Sequence, residues 1–261
     1  MLEKSRVVGC TDVERNYHIF YFIMRGATDA VIKKLGLMKP DGKTRKSRTE
    51  FKYLQKGKDK DELKDKADYE ELAEAFHTLG FTEDEVDSIH RIVAAVLHIG
   101  EILLDNSTYD DGKNSSPVSV KNKDKMKEIA NLLGVDNPDD LITELVYKPK
   151  MPGASGRAPD KPQNCLNSVE SLAKGLYDNL FNWLVAKMNI EILPDELKSG
   201  DAMTIQKFQD RTKTIGLLDI FGFENFELNQ FEQLCINFVN EKLHNLYISS
   251  VFGNEKKEME R

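Results

Sequence analysis

The apolar positions of this chain fall into blocks of different kinds. Arg15 to Gly26 (RNYHIFYFIMRG) is apolar on nearly every side, the mark of a helix buried all round. Gly36 to Ala67 is polar, ends in KGKDKDELKDKA, and reads as a solvated surface excursion. Beyond it, Asp68 with Glu71 and Thr82 with Glu85 each set a capping residue three before a glutamate. That reciprocal pairing satisfies free N–H groups of a first helical turn. It predicts helices over about Tyr69 to Leu79 and Glu83 to His98, ended by Gly80 and Gly100, because the left-handed position after a helix favours glycine. EILLD (Glu101 to Asp105) suits a short strand. SVKNKDKMKEIANLLG and NPDDLITELV suit two more helices, the second capped by Asn137 with Pro138 at its first position.

Lys148 to Gln163 (KPKMPGASGRAPDKPQ) breaks the pattern, since four prolines and two glycines argue against regular structure. A long helix follows over about Leu166 to Asn189, with Leu172, Leu176, Leu180, Trp183, Leu184 and Met188 at helical spacing. TIQKFQ and KTIGLLDI read as two strands of a hairpin. Ile215 to Ile220 is nearly all apolar, as in a central strand covered on both faces. The run reaches Asp219, turns at Gly222 and places Glu224 just after the turn. Asn229 pairs with Glu232 as a helix cap. Phe231, Leu234, Phe238, Val239, Leu243, Leu246, Tyr247 and Val251 then form one stripe of an amphipathic helix. A helix of about 20 residues reaches about 30 Å, far enough to carry a small movement of the turn to a distant place. The fold class read from these elements is α/β, predominantly α-helical, with a few strands.

Composition narrows the picture. A chain of 261 residues with 40% apolar and 31% charged residues suits a soluble globular protein of one large or two small domains. The formal charge of -7 argues against wholesale nucleic-acid binding and leaves room for a local basic loop. Cys10, Cys165 and Cys235 contain no CxxC pair, so neither a disulfide framework nor a zinc site is expected, and a reducing cytosol is the simplest setting. No secretory leader is evident, and no apolar run approaches the roughly 18 residues of a membrane span. Both ends, LEKSRVV and NEKKEMER, look cut.

The chemistry concentrates at Asp219 to Glu224. In open α/β sheets ligands bind at the carboxyl ends of strands. An acid there holds magnesium in nucleoside-triphosphate machines. A glycine lets a backbone N–H approach a phosphate oxygen closely. Glu224 suits orienting a water or pairing with a cation. The same strand, acid, turn and glycine also occur at ordinary strand ends. The phosphate cradle GxxxxGK[ST] is absent. GLMKPDGKT (Gly36 to Thr44) has five residues between its glycines, contains Pro40 and follows a helix-like stretch, so it reads as a decoy.

DIFGFE (Asp219 to Glu224) resembles switch II of the myosin motor domain, and NFELNQFEQLCINFVNEKL resembles the start of its relay helix. LEKSRV with ERNYHIFY resembles the stretch after switch I. GFTEDEVDSIHRIVAAVLHIGEI resembles a helix of the motor's upper half, and ESLAKGLYDNLFNWLVAKMN the helix after the actin-contacting loop. The markers keep family order across essentially the whole chain. DIFGFE, with Phe221, is closer to the unconventional classes than to the muscle type.

The resemblance implies that 1–261 is a partial motor domain: the upper half, switch II and the start of the relay helix, without P-loop, switch I, converter or lever. It implies Asp219 as the acid that holds Mg2+ through bound water. It implies Gly222 as the residue whose N–H meets the γ-phosphate of ATP, and Glu224 as the partner of a switch I arginine. With most of the pocket missing, neither ATP nor Mg2+ is expected to bind tightly to this chain alone. Filamentous actin and the remainder of the heavy chain are the implied partners, with a cytoplasmic, cytoskeletal location. Lys148, Lys150, Arg157 and Lys161 are the implied actin-steering charges; the other reading of these side chains is a merely solvated loop. The family's regulatory position, counted sixteen residues before ESLAK, falls on Ala154, with Ser155 next to it as a candidate phosphosite. The leading expectation is a segment of an actin-based, ATP-driven motor. The alternative is a non-catalytic truncated myosin-like protein that binds actin or a motor subunit.

Overall fold

The computed structural model describes residues 3–59, 62–107, 109, 116–149, 156–198, 213, 215–220, 222–226, 229 and 231–259, without the side chains of 149, 196, 254 and 256–258. Met1–Lys198 and Ser199–Arg261 are two separate compact units.

In the first unit, apolar helices collect around one of their number. The order is α1 (His18–Gly26), α2 (Asp29–Lys34), α3 (Glu62–Thr78), α4 (Glu83–Ile99), the hairpin β1 (Leu104–Asp105) with β2 (Ser119–Val120), α5 (Lys123–Leu133), α6 (Pro138–Val146), the hairpin β3 (Tyr147–Pro149) with β4 (Arg157–Pro159), α7 (Pro162–Glu191) and α8 (Asp195–Lys198). Helix α4 is the centre: Val93 through Ile99 are all buried, and α1, α5 and α7 pack against it. Its start is the expected capping box. Thr82 Oγ1 accepts from the Glu85 N–H at 3.2 Å, and Glu85 Oε2 accepts from the Thr82 N–H at 2.8 Å. Asn137 likewise caps α6, with Pro138 at its first position.

Helix α4 also carries a fully buried histidine. His98 Nε2 lies 2.9 Å from the carbonyl of Leu35, which only accepts, so Nε2 carries the hydrogen. Nδ1 is then free to accept from the Lys125 ammonium at 3.1 Å. Burial is the main force that pushes His98 down to about 4, so the ring is neutral and joins α4 to the turn after α2 and to α5.

Several boundaries differ from the sequence reading. Helix α3 runs from Glu62, so Asp68 is not its cap but an interior residue that pairs with Lys64 at 2.7 Å. Its first turns are rich in charge, which periodicity of apolar residues does not register. Gly80 does adopt the left-handed conformation (φ 71°), but Gly100 is right-handed (φ -59°). Glycine stands at Gly100 because a Cβ would sit 3.0 Å from the Tyr53 ring. The 36–67 stretch is more than a solvated excursion, since Phe51, Tyr53 and Leu54 enter the core. Asp65, 1% exposed, is its most consequential residue. It accepts from Arg15 Nη1 at 2.8 Å and from Arg25, and Arg15 in turn lies 3.8 Å over the ring of Tyr21. Between α1 and α3 the backbones come so close that a Cβ on Gly26 would stand 2.3 Å from that of Tyr69.

In the second unit, the described residues of 215–220 belong to no strand, and Leu217 is 97% exposed. The expected central strand is therefore not formed. A strand needs a neighbour for its ladder of hydrogen bonds, and no described residue pairs with it. Its expected hairpin partner TIQKFQ lies outside the described residues. Helix α9 (Phe231–Met259) has 29 residues, longer than expected, or about 43 Å at 1.5 Å per residue. No helix among the described residues is long and apolar enough to cross a membrane.

Removing the Asp65 carboxylate leaves two nearly buried guanidinium groups facing each other. Asp65→Ala is expected to cost about 3 to 5 kcal/mol in urea unfolding. Burial alone would raise the Asp65 carboxyl, but hydrogen bonds from Arg15 and Arg25 outweigh it and the net direction is down. A depressed carboxyl stabilises the fold above its unfolded pKa and ceases to do so as pH falls through the folded value. The stability gap between parent and variant should thus shrink below about pH 4, the ordinary aspartate range. A gap that stays constant to pH 2 would contradict this account.

Candidate functional site

The acid and glycine turn is built from the second unit's own backbone. Asp219 and Gly222 are exposed, and Glu224 is half-buried. Gly222 is not in the left-handed region, and a Cβ there would meet nothing within 4 Å. Neither the chain's conformation nor its internal packing therefore requires a glycine at Gly222. Phe221 lies outside the described residues.

Glu224 is tied directly to α9. The side-chain amide of Asn237 grips its backbone twice. Asn237 Oδ1 accepts from the Glu224 N–H at 2.8 Å, and Asn237 Nδ2 donates to the Glu224 carbonyl at 2.8 Å. The amide thus does what a neighbouring β-strand would do for one residue. The Glu224 carboxylate accepts from Gln233 Nε2 at 3.3 Å. Asn237 and Gln233 both belong to α9, one turn apart, so the turn is tied to the helix at two levels. Asn229 does not form the expected pair with Glu232. Its Oδ1 accepts from the Phe226 N–H and its Nδ2 donates to the Phe226 carbonyl, both at 2.9 Å, which closes a local loop. Asn237 was missed in the sequence, although an amide inside an otherwise apolar stripe (CINFVN) is the signal that a backbone partner lies nearby.

The described ends of the basic loop are more regular than its prolines suggest. Tyr147 pairs with Pro159 and Pro149 with Arg157 in a two-stranded ribbon. A ribbon leaves outward N–H positions unpaired, and proline, which lacks that group, fits there. Pro162 opens α7 at its first turn, where the N–H has no helical partner in any case. Among the described residues, Lys148 lies 3.4 Å from Asp160, and Arg157 pairs with Glu144. Asp160 also accepts from the Lys161 N–H and from Asn164, both at 2.8 Å, at the entry to α7. Burial would raise the Asp160 carboxyl, but these donors and Lys148 hold it below the usual range. Lys150, Ala154 and Ser155 lie outside the described residues.

The Walker-like stretch is a closed turn. Asp41 Oδ1 accepts from the N–H groups of Lys43 and Thr44, both at 2.9 Å, and Asp41 Oδ2 accepts from the Thr44 hydroxyl at 2.6 Å. The Thr44 hydroxyl and these two amides bring the Asp41 carboxyl down to about 2. The amides that a phosphate cradle would offer are already used by Asp41.

The family model for the myosin head (motor domain) matches residues 1–261. The chain is 39% identical to unconventional myosin ID of Drosophila melanogaster over its full length and 24% of that protein. It is 40% identical to the myosin-I heavy chain of Dictyostelium discoideum, covering 100% of this chain and 10% of the relative. It is 34% identical to unconventional myosin-Ic of Bos taurus, covering 100% and 23%. The chain therefore spans a quarter or less of the length of these relatives.

Replacing Asn237 by alanine removes both bonds to Glu224 while leaving α9 a good helix former. A backbone hydrogen bond contributes about 1 kcal/mol net, or about fivefold in an equilibrium. Amide exchange at Glu224 should accelerate about fivefold or more in Asn237→Ala, with α9 helicity unchanged. Gly222→Ala, in contrast, should leave the melt of the chain unaltered.

Proposed function

Because the chain belongs to the myosin head (motor domain) family, we propose that it is the segment of an actin-based, ATP-driven motor that senses the γ-phosphate and passes that signal along a helix. The observation that carries this reading is the double hydrogen bond between Asn237 and the backbone of Glu224. A displacement of the turn must either move α9 or break both bonds. A helix of 29 residues then reports the displacement far away.

In this reading DIFGFE is switch II and α9 is the start of the relay helix. Asp219 holds Mg2+ through bound water, and the N–H of Gly222 meets the γ-phosphate. Glu224 pairs with an arginine contributed by another segment of the heavy chain and closes the site. The open space over Gly222 and the exposure of Asp219 fit that use, because both groups remain approachable. Bound Mg2+ and ATP supply the charge that these residues orient. The remaining heavy chain supplies the phosphate cradle, so this chain alone should not hydrolyse ATP. The setting is the cytoplasmic cytoskeleton.

Filamentous actin is the proposed partner of the loop Lys148 to Gln163. The pairs Lys148–Asp160 and Arg157–Glu144 reduce its outward positive field, so its role is steering rather than tight binding. Ser155, or the adjacent Ala154 position, is the proposed regulatory place in the loop.

Three measurements address the reading. Purified chain should release phosphate from ATP no faster than its Glu224→Ala variant, with or without actin; a clearly faster, actin-stimulated rate would refute this. In a complete motor containing this segment, Gly222→Ala should abolish the rapid-quench phosphate burst, and a normal burst would remove Gly222 from the site. Cosedimentation of the chain with actin should be weak and salt-sensitive, because exposed charges are screened within about 10 Å at 0.1 M salt. Changing Lys148, Lys150, Arg157 and Lys161 together to alanine should reduce it further. Equal sedimentation of parent and quadruple variant at every salt concentration would exclude the loop as the contact.

A further inference from the structure

Helix α3 packs chiefly on α1, and α7 packs chiefly on α4. The strip between α3 and α7 stays open as an apolar cavity of about 320 Å³. Ile89 and Val93 of α4 form its floor, Leu72 and Phe76 of α3 one wall, and Leu180 and Leu184 of α7 the other. Among the described residues no charged side chain lines it.

We propose that this cavity is a binding site for a small, neutral, apolar molecule of about the size of a two-ring aromatic. Its volume lies at the lower end of the roughly 300–1,000 Å³ of ligand pockets. A charged ligand would leave its charge without a counterpart among these walls, which is costly. Aromatic side chains contribute to its lining. Phe76 meets Phe81 edge to face at 5.1 Å, and Phe81 meets Trp183 in the same way at 6.0 Å. Phe76 and Phe81 both line the cavity, so a further ring there has aromatic neighbours. Leu184 and Leu72 are half-buried, so the cavity communicates with solvent and a ligand can enter without unfolding a helix. The site lies wholly within the first unit and depends on nothing proposed for the Asp219 turn.

The test is titration of the whole chain with 6-propionyl-2-(dimethylamino)naphthalene, a neutral two-ring fluorophore. Saturable binding of one molecule per chain is expected, with blue-shifted emission. Ala75→Trp, which fills the cavity from α3, and Leu184→Glu, which places a carboxylate on the α7 wall, should each weaken binding tenfold or more. Leu246→Ser, on the exposed stripe of α9, should leave it unchanged. Nuclear Overhauser contacts from the fluorophore to the methyl groups of Leu72, Val93, Leu180 and Leu184 should locate it in the parent chain, whatever the folding of the variants. Contacts confined to α9, absence of saturable binding, or parental affinity in both correctly folded cavity variants would overturn the proposal.

Discussion

One carboxylate, shared between two arginines, determines how the first unit is assembled. Asp65 arrives on α3, Arg25 lies on α1, and Arg15 lies just before α1, so the pairing fixes which faces of the two helices meet. Once it is made, the Gly26 backbone lies against Tyr69, and Phe20, Tyr21 and Ile23 turn towards the core. Buried charges of this kind contribute little net stability compared with an apolar replacement, but they exclude misaligned packings, in which a charge would be stranded. The tight approach at Gly26 and the stacking of Arg15 on Tyr21 both presuppose that alignment.

Helix α4 was legible in the sequence because each level of the code agrees there: a capping box, an apolar face and a long uninterrupted period. Asn137 with Pro138 marked α6 for the same reason. The failures have two causes, local charge that apolar periodicity does not register and interactions distant in sequence. Asp68 imitates a cap, yet Lys64 and the turns before it extend α3 backwards. Gly100 imitates a left-handed terminator, yet it serves the Tyr53 ring. Pro149, Pro159 and Pro162 imitate disorder, yet the first two lie in the ribbon and the third at the first turn of α7, where no N–H is needed. Ile215 to Ile220 has the composition of a strand, but composition supplies no ladder partner.

The candidate site was legible in part. The order of acid, glycine and acid in DIFGFE nominates candidate residues from local chemistry and resemblance alone. What ties them to α9 was not, because Asn237 lies thirteen residues after Glu224, in a mostly apolar run (CINFVN) that reads as ordinary packing. Similarly, Lys148 and Arg157 were visible as charges, while their neutralisation by Asp160 and Glu144 required the fold of the hairpin and the placement of α6.

The hairpin base has a consequence for how loop length can vary. Pro149 opposite Arg157 and Asp160 at the entry to α7 fix both feet of the segment between them. Whatever joins the two feet is then a closed loop whose length is nearly a free variable, since doubling it costs only about 0.6 kcal/mol in closure entropy. Residues could be inserted or deleted between 150 and 156 with little effect on α6 or α7. The sequence between the feet can therefore diversify in charge and length while its anchorage stays constant.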